Sequence, residues 1–353
     1  MKTQTTKLEK FSADRAAKSK IIAVMNNKGG CGKTTLAIAL GFHLARAGYN
    51  VLFWDNDPQR NLTQRIGVQD TSYPDRRMDS FFNKLGREGF EQEHIKFPVI
   101  IHYPYFFRLP GSDKAPGKIG IMPGSAYAGI DANGVDEKLR RNTELDHNQK
   151  DIHKHFKKAL QFYQDYFDYI VIDTSPAMEG NLLGQLAVRV ADEVVCPIDG
   201  IDAAMGVKGL AAWIDSETGS YAGNETKPNM VFAMMKYQED TKDLVDPAST
   251  IKSQNAVYRG LKQVLGDFLC ENGIKELPSL RNQVYGGFGR KTEFDDLCDE
   301  IAFKISMVRP NFFDHWNSFV RGQLDSALTN IEKKALGKEP VFKNPYFERN
   351  WVR

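Results

Sequence analysis

Short apolar runs recur along the chain between polar or glycine-rich turns: Ile21–Met25, Val51–Trp54, Ile119–Met122, Tyr169–Ile172, Glu193–Ile198 and Met230–Met234. Most are continuously apolar rather than alternating, the pattern of strands covered on both faces. Between the first two, Thr34–Ala47 places apolar residues at Leu36, Ile38, Leu40, Leu44 and Ala47 and stops at Gly48, which predicts a helix. Strand, glycine-rich turn, helix and strand in this order open a βαβ unit. The later runs alternate with helical segments, so the fold class is α/β with a mostly parallel sheet.

Two regions fit less simply. Residues 71–117 mix charges with aromatics (Phe81, Phe82, Phe90, Phe97, Tyr103, Tyr105, Phe106, Phe107) and carry Pro98, Pro104, Pro110 and Pro116. They read as helices plus an inserted loop or hairpin, or equally as a long crossover connection. From Pro310 to Ile331, apolar residues at Phe312, Phe313, Trp316, Val320, Leu324, Leu328 and Ile331 predict one long amphipathic helix. The expected organisation is therefore a polar tail over 1–20, a core domain over 21–309, a C-terminal helix over 310–335 and a basic tail over 336–353.

The 353 residues carry 47 Lys+Arg against 45 Asp+Glu, a net charge of +2 that gives no global argument for nucleic acid. An anion-binding surface has to be local. No apolar run approaches the roughly 20 residues of a membrane span. Met1–Lys20 lacks the apolar centre of a signal peptide. The four cysteines, Cys31, Cys196, Cys270 and Cys298, form no C-x-x-C pair, which argues against a zinc ribbon or a disulfide scaffold and fits a reducing cytoplasm.

Candidate chemistry begins at Asn26-Asn27-Lys28-Gly29-Gly30-Cys31-Gly32-Lys33-Thr34-Thr35, which follows a predicted strand and opens a predicted helix. Glycines in this setting turn backbone N–H groups inward around phosphate, and the helix N-terminus adds partial positive charge. Lys33 is placed to reach the β- and γ-phosphates, and the Thr34 hydroxyl to bind Mg²⁺. The strict G-x-x-x-x-G-K-[ST] pattern fails at its first position, where Asn27 stands. Lys28 is not needed to cradle phosphate within one subunit. It is either a solvated charge or a residue that reaches a partner subunit's nucleotide as an arginine finger does.

The string K-G-G-x-G-K-T-T resembles the deviant Walker A motif of the ParA/MinD ATPases. Three further segments resemble that family in its order: Val51–Thr63, with D-x-D-P-Q followed by N-L-T; Tyr169–Pro176, like its Walker B strand; and Ala191–Ile198, like the A-D-E-V strand that follows. The resemblance covers 21–66 and 169–210, and 228–307 more loosely. It implies a doubly wound sheet of the P-loop NTPase type and a weak ATPase using ATP and Mg²⁺.

Residue by residue, the resemblance implies that Lys28, Gly29, Gly30, Cys31, Gly32, Lys33, Thr34 and Thr35 bind nucleotide, with Lys28 crossing a sandwich dimer. Thr34 and Asp173 hold the metal, Asp57 positions the attacking water, and Asp55 supports the site from behind. A polar turn after a strand is the structural alternative for Asp55 and Asp57. Met235 and Pro278 mark the segments matched to adenine recognition. Cys31 stands where relatives often carry valine; packing or a reactive thiol are its two readings.

ParA-type relatives bind non-specific DNA through basic residues in the C-terminal half. Arg281, Arg290 and Lys291 are the preferred candidates, with Arg259, Lys262, Lys275, Lys304, Arg309, Lys333, Lys334 and Lys338 as further ones. The implied function is an ATP-dependent homodimer in the nucleoid-associated cytoplasm. It partitions plasmid or chromosome DNA with a ParB-like partner that stimulates hydrolysis, without integral membrane association. The second reading keeps the nucleotide switch and drops DNA: the chain positions a protein complex, as MinD does, or regulates a transfer or secretion machine through the aromatic-rich insertion. A synthetase on the same fold has no signature here.

Overall fold

The computed structural model describes residues 19–69, 74–88, 98–101, 115–141, 152–176, 181–219, 227–235, 250–274, 294–316, 321–327 and 329. Among them, seven strands make one sheet: β1 (Lys20–Val24), β2 (Val51–Asn56), β3 (Val99–Ile101), β4 (Ile119–Met122), β5 (Tyr169–Thr174), β6 (Glu193–Ile198) and β7 (Asn229–Met234). Their order is β3-β4-β2-β5-β1-β6-β7, parallel throughout except for the β3–β4 edge. The helices are α1 (Lys33–Arg46), α2 (Asn61–Ile66), α3 (Met78–Glu88), α4 (Ala128–Arg141), α5 (Ile152–Gln164), α6 (Leu182–Val190), α7 (Gly200–Gly219), α8 (Thr250–Leu265), α9 (Asp295–Ser306) and α10 (Phe312–His315).

The continuous apolar runs are needed because both faces of each strand are covered. Successive side chains of a strand point to opposite faces. Ile21, Ala23, Leu52, Trp54, Ile170 and Ile172 enter one core with α3 to α8 and α10. Ile22, Val24, Val51, Phe53 and Val171 enter the other with α1, α2 and α9.

The strand order fixes where a ligand can enter. β5 lies between β1 and β2, so α1 carries the chain over β5 on one face. β5 and β6 flank β1, so α6 carries the chain over β1 on the opposite face. The two crossovers part at the C-terminal end of β1, the switch point where open α/β sheets bind ligands.

Two regions left open by the sequence pattern take definite form. Within the insertion, Val99–Ile101 forms the antiparallel edge strand β3 against β4. Phe81 and Phe82 belong to the core: their rings are 5.2 Å apart, and Phe81 meets Trp54 edge-on at 6.0 Å. Truncating a fully buried phenylalanine such as Phe82 costs about 3–5 kcal/mol. Phe82 is fully buried and Phe81 partly so, and both stabilise the fold; the other aromatics of 89–97 and 102–107 lie outside the described residues.

The C-terminal helix is also interrupted. α10 ends at His315, Trp316 has ψ 72°, and helix resumes over 321–327. Helical spacing yields here to aromatic packing, with Phe312 stacked on Trp316 at 5.3 Å and edge-on to Phe232 and Phe268. No helix among the described residues is long and apolar enough to cross a membrane.

Candidate functional site

The loop after β1 is pinned at its root from both neighbouring strands. Asn26 Nδ2 donates to the Pro197 carbonyl of β6 at 2.7 Å, and Asn26 Oδ1 accepts the Lys28 N–H at 2.9 Å. Thr174 of β5 donates its hydroxyl to the Val24 carbonyl at 2.9 Å. Gly29 and Gly30 form an exposed crest. Gly32 has φ 95°, and a Cβ there would meet Met235 Cε at 2.9 Å, so glycine is required twice over.

α1 begins directly after this turn, with the Leu36 N–H bonded to the Gly32 carbonyl at 2.8 Å. No side chain caps its N-terminus and no acidic residue stands in its first turn. The orphan N–H groups and the positive end of the helix dipole are therefore offered to an anion. Lys33 is buried and folds over the loop, its Nζ donating to the Lys28 carbonyl at 2.8 Å.

Three carboxylates line the strand ends beside the loop. Asp173 is the penultimate residue of β5 with no exposed surface, and neither of its oxygens accepts a hydrogen bond of good geometry. Burial, reinforced by the Asp55 and Asp57 charges, pushes its carboxyl well above the usual range. The nearby Thr34 hydroxyl and Lys33 pull the other way. A buried carboxylate left without partners is costly unless a cation completes it. Thr34 and Asp173 therefore fit a Mg²⁺ ion held between loop and strand.

Asp55 is satisfied. Its Oδ2 accepts from the Thr63 N–H at 2.8 Å and the Thr63 hydroxyl at 2.5 Å, and the Gly124 N–H donates onward to Thr63 Oγ1 at 2.9 Å. Burial raises its carboxyl to about 6, and the Thr63 bonds oppose the shift. Asp57 is buried and accepts the Gln59 N–H at 2.9 Å, so it also shapes the turn after β2.

Lys28 stands at the mouth of the site. Its Nζ reaches Asp202 Oδ2 in the first turn of α7 at 3.3 Å and the Asp199 carbonyl at 3.4 Å. Asn27, where the strict motif has glycine, packs against the same helix. A Cβ on Gly206 would lie 2.1 Å from Asn27 Oδ1. Exposed Tyr127 and Ile130 of the α4 region and Met205 of α7 add apolar surface.

The sequence profile of the AAA domain family matches residues 19–101 and 128–221, about half of the chain. The chromosome partitioning protein ParA of Caulobacter vibrioides is 29% identical over 179 residues, 51% of this chain and 55% of that protein. The sporulation initiation inhibitor protein Soj of Bacillus subtilis is 29% identical over 182 residues, 51% and 58% respectively. The chain belongs to the ParA/MinD superfamily. It spans little more than half the length of the curated relatives it matches. The solved structure of a putative plasmid partition protein from Borrelia burgdorferi, bound to AMPPNP, superimposes with a TM-score of 0.53. It covers 82% of this chain and all of that one at 18% identity, a likeness of fold.

Within this ParA/MinD fold, Lys28 to Thr35, Asp55, Asp57 and Asp173 come together at the end of β1, β2 and β5. Met235 directly follows β7 with its side chain buried under Gly32, so it wedges the loop and offers little surface to a base. Cys31 is fully buried, its Sγ 3.3 Å from the Lys28 carbonyl, and burial raises its thiol pKa. That environment favours the packing reading over a reactive thiol. Pro278, Arg281, Arg290 and Lys291 lie outside the described residues. Arg309 is engaged by Glu193 at 2.5 Å and by the Met230 carbonyl, which removes it from the DNA candidates.

Sequence reasoning missed the residues that hold this site in place. Thr63 grips Asp55, Asn26 ties the loop to β6, and Asp202 holds Lys28. Thr63 lies in the N-L-T that follows D-x-D-P-Q, the one signal pointing to it.

Proposed function

We propose that the protein is an ATP-dependent molecular switch of the ParA type, a weak ATPase that dimerises on ATP, binds DNA non-specifically and partitions DNA with a ParB-like partner. The observation that carries the nucleotide reading is Asp173: a buried carboxylate that accepts no hydrogen bond of good geometry, with the Thr34 hydroxyl nearby, beside the uncapped N-terminus of α1. The bound Mg²⁺ supplies charge neutralisation on the phosphates. The backbone of Gly29–Thr35 binds the phosphates, Lys33 pairs with them, and Asp57 orients the attacking water. Lys28 crosses to the partner's nucleotide and stabilises developing charge there.

Family membership supports the partition role. The exposed Met205, next to the Gly206 that packs on Asn27 of the loop, supports a protein contact there. The test is binding to random-sequence duplex DNA with ATP, ADP or no nucleotide over a salt series. Binding that requires ATP and weakens steeply with salt is the expected result. ATP-driven dimerisation without DNA binding would replace the partition role by the positioning or regulatory one.

A further inference from the structure

Most cations of the fold are paired. Lys208 and Lys227 reach Asp325 and Asp215 at 2.5 Å, Lys304 reaches Glu300 at 3.4 Å, and Lys262 reaches Glu271 at 3.7 Å. Among the described side chains, the lysines that make no ion pair, hydrogen bond or ring contact are Lys154, Lys157 and Lys158. All three belong to α5 and all three are exposed. The 13 residues of that helix include no aspartate or glutamate.

The stripe follows from helical spacing. Positions 154, 157, 158 and 161 share one side of a helix, and Gln161 continues the exposed face. The other side is spent in the core: Ile152, Phe156, Ala159, Leu160 and Tyr163 are buried. Phe156 and Tyr163 meet Trp54 edge-on at 5.3 and 5.8 Å. The lysines therefore stand on a rigid element. Trp54 directly precedes Asp55, and α5 leads into β5, which carries Asp173, so the anchoring runs to the nucleotide end of the sheet. Like charges three and four residues apart repel. The fold leaves that repulsion uncompensated, and a bound polyanion relieves it.

The face itself selects the kind of polyanion. Its apolar side is taken by the core, so it cannot insert in a bilayer surface as amphipathic membrane helices do. α5 exposes no arginine, tryptophan or tyrosine, the usual anchors of protein interfaces. Lys154 and Lys158 are about 6 Å apart along the axis, within two phosphate steps of a DNA strand at about 3.4 Å each. Lysine offers a point charge without arginine's planar fork, and phosphate contacts carry no sequence information. We infer that the face of α5 bearing Lys154, Lys157 and Lys158 is a docking surface for the phosphate backbone of duplex DNA, bound without regard to sequence. It precedes β5, outside the C-terminal half in which the resemblance places DNA contacts. The inference rests on the DNA-binding reading above and names a surface that serves it.

The test measures binding of the full chain to random-sequence duplex DNA with ATP, ADP or no nucleotide, from about 50 to about 200 mM salt. The wild type is compared with the triple variant Lys154→Gln, Lys157→Gln, Lys158→Gln and with the matching triple arginine variant. Each lysine that neutralises a phosphate contributes about 0.9 to the slope of log affinity against log salt. The glutamine variant should therefore lose about 2.7 of that slope, and the fourfold rise in salt should cost the wild type about 40-fold more affinity than the variant. The arginine variant keeps the charges and should keep the slope. ATP turnover without DNA and the thermal midpoint should be unchanged in both, because the three side chains are exposed and unpaired. If the glutamine variant does not fold, the three single substitutions carry the test, each required to lower the slope by about 0.9. An unchanged slope in a folded variant overturns the proposal and leaves the stripe as a solvated face. Wild-type binding to polyglutamate as tight as to DNA at equal charge, lost in the glutamine variant, overturns it in favour of an acidic protein partner. Failure of the DNA-binding reading looks different: the wild type itself binds no duplex in any nucleotide state, and the proposal falls with it.

Discussion

The Lys28 ammonium and the Asp202 carboxylate lie 3.3 Å apart, joining the phosphate loop to the first turn of α7 within one subunit. Asp202 is largely exposed, with 84% of its side chain accessible. Exposed pairs of this kind contribute roughly 0–1 kcal/mol. The lysine is therefore held in place yet released at small cost when a stronger anion arrives. Asp202→Asn should leave the thermal midpoint within a degree or two (about 0–1 kcal/mol). Lys28→Ala should keep nucleotide binding and lose the ATP-dependent dimer, as read by sedimentation velocity.

The carboxylates make opposite demands on stability and function. Asp173 sits buried with no hydrogen bond of good geometry to either oxygen, a costly state for a charge. Asp173→Asn should raise the unfolding midpoint of the nucleotide-free protein while abolishing any Mg²⁺-dependent gain in nucleotide affinity. Calorimetric unfolding with and without Mg²⁺·nucleotide separates the two effects.

Asp55 sets a pH window. Its carboxyl rises on folding from an ordinary 3.8 to about 6. Between those values the folded state binds more protons than the unfolded one. The Asp55 contribution to stability is thus present below about 4 and is lost as pH rises through 6. Asp55→Asn keeps an acceptor for Thr63 and removes this slope. Urea midpoints from pH 4 to 7 should fall relative to the variant as pH rises; parallel curves would refute the assignment.

Gly206 shows a helix position governed by its neighbour. Alanine in place of a mid-helix glycine ordinarily stabilises by about 0.5–1 kcal/mol. Here the added methyl group would collide with the Asn27 side chain at 2.1 Å. Gly206→Ala should displace the loop and weaken ADP binding, and Asn27→Ala in the same chain should recover part of the loss. Titration calorimetry on the single and double variants measures this coupling.

Arg46 and Asp295 bind α1 to α9 through a buried pair at 2.8 Å, with His43 Nδ1 3.6 Å from the same carboxylate oxygen. Bonds to His43 and Arg46 outweigh burial and hold the Asp295 carboxyl below its usual value. Its contribution is present above the unfolded value and lost as pH falls. Arg46→Met should destabilise by about 3–5 kcal/mol by leaving a buried charge poorly paired, measured by urea unfolding at neutral pH.

The strands were legible because Ile21–Val24 and Tyr169–Ile172 are apolar at every position, as a sheet buried on both faces demands. β3 was not, because Val99–Ile101 offers three residues after a proline inside a charged and aromatic stretch. The helix over 310–331 was overread: spacing alone does not reveal that Trp316 leaves the helix to stack on Phe312. At the site, the loop and the carboxylates were legible because phosphate chemistry fixes residue types in a fixed order. Asp202 was invisible for the opposite reason. Its partner lies 174 residues away, brought near by the crossovers α1 and α6.

All four cysteines are free and buried, in the loop, in β6, after the 3₁₀ turn that ends α8, and in α9. The native protein is thus close to silent toward thiol reagents without any cysteine being removed. A single cysteine introduced at Ile130, in the first turn of α4, or at Val308, beyond the end of α9, becomes an addressable position for a fluorophore or spin label. Such labels turn the fold into its own ruler, reporting whether two copies of the chain approach one another as nucleotide is added.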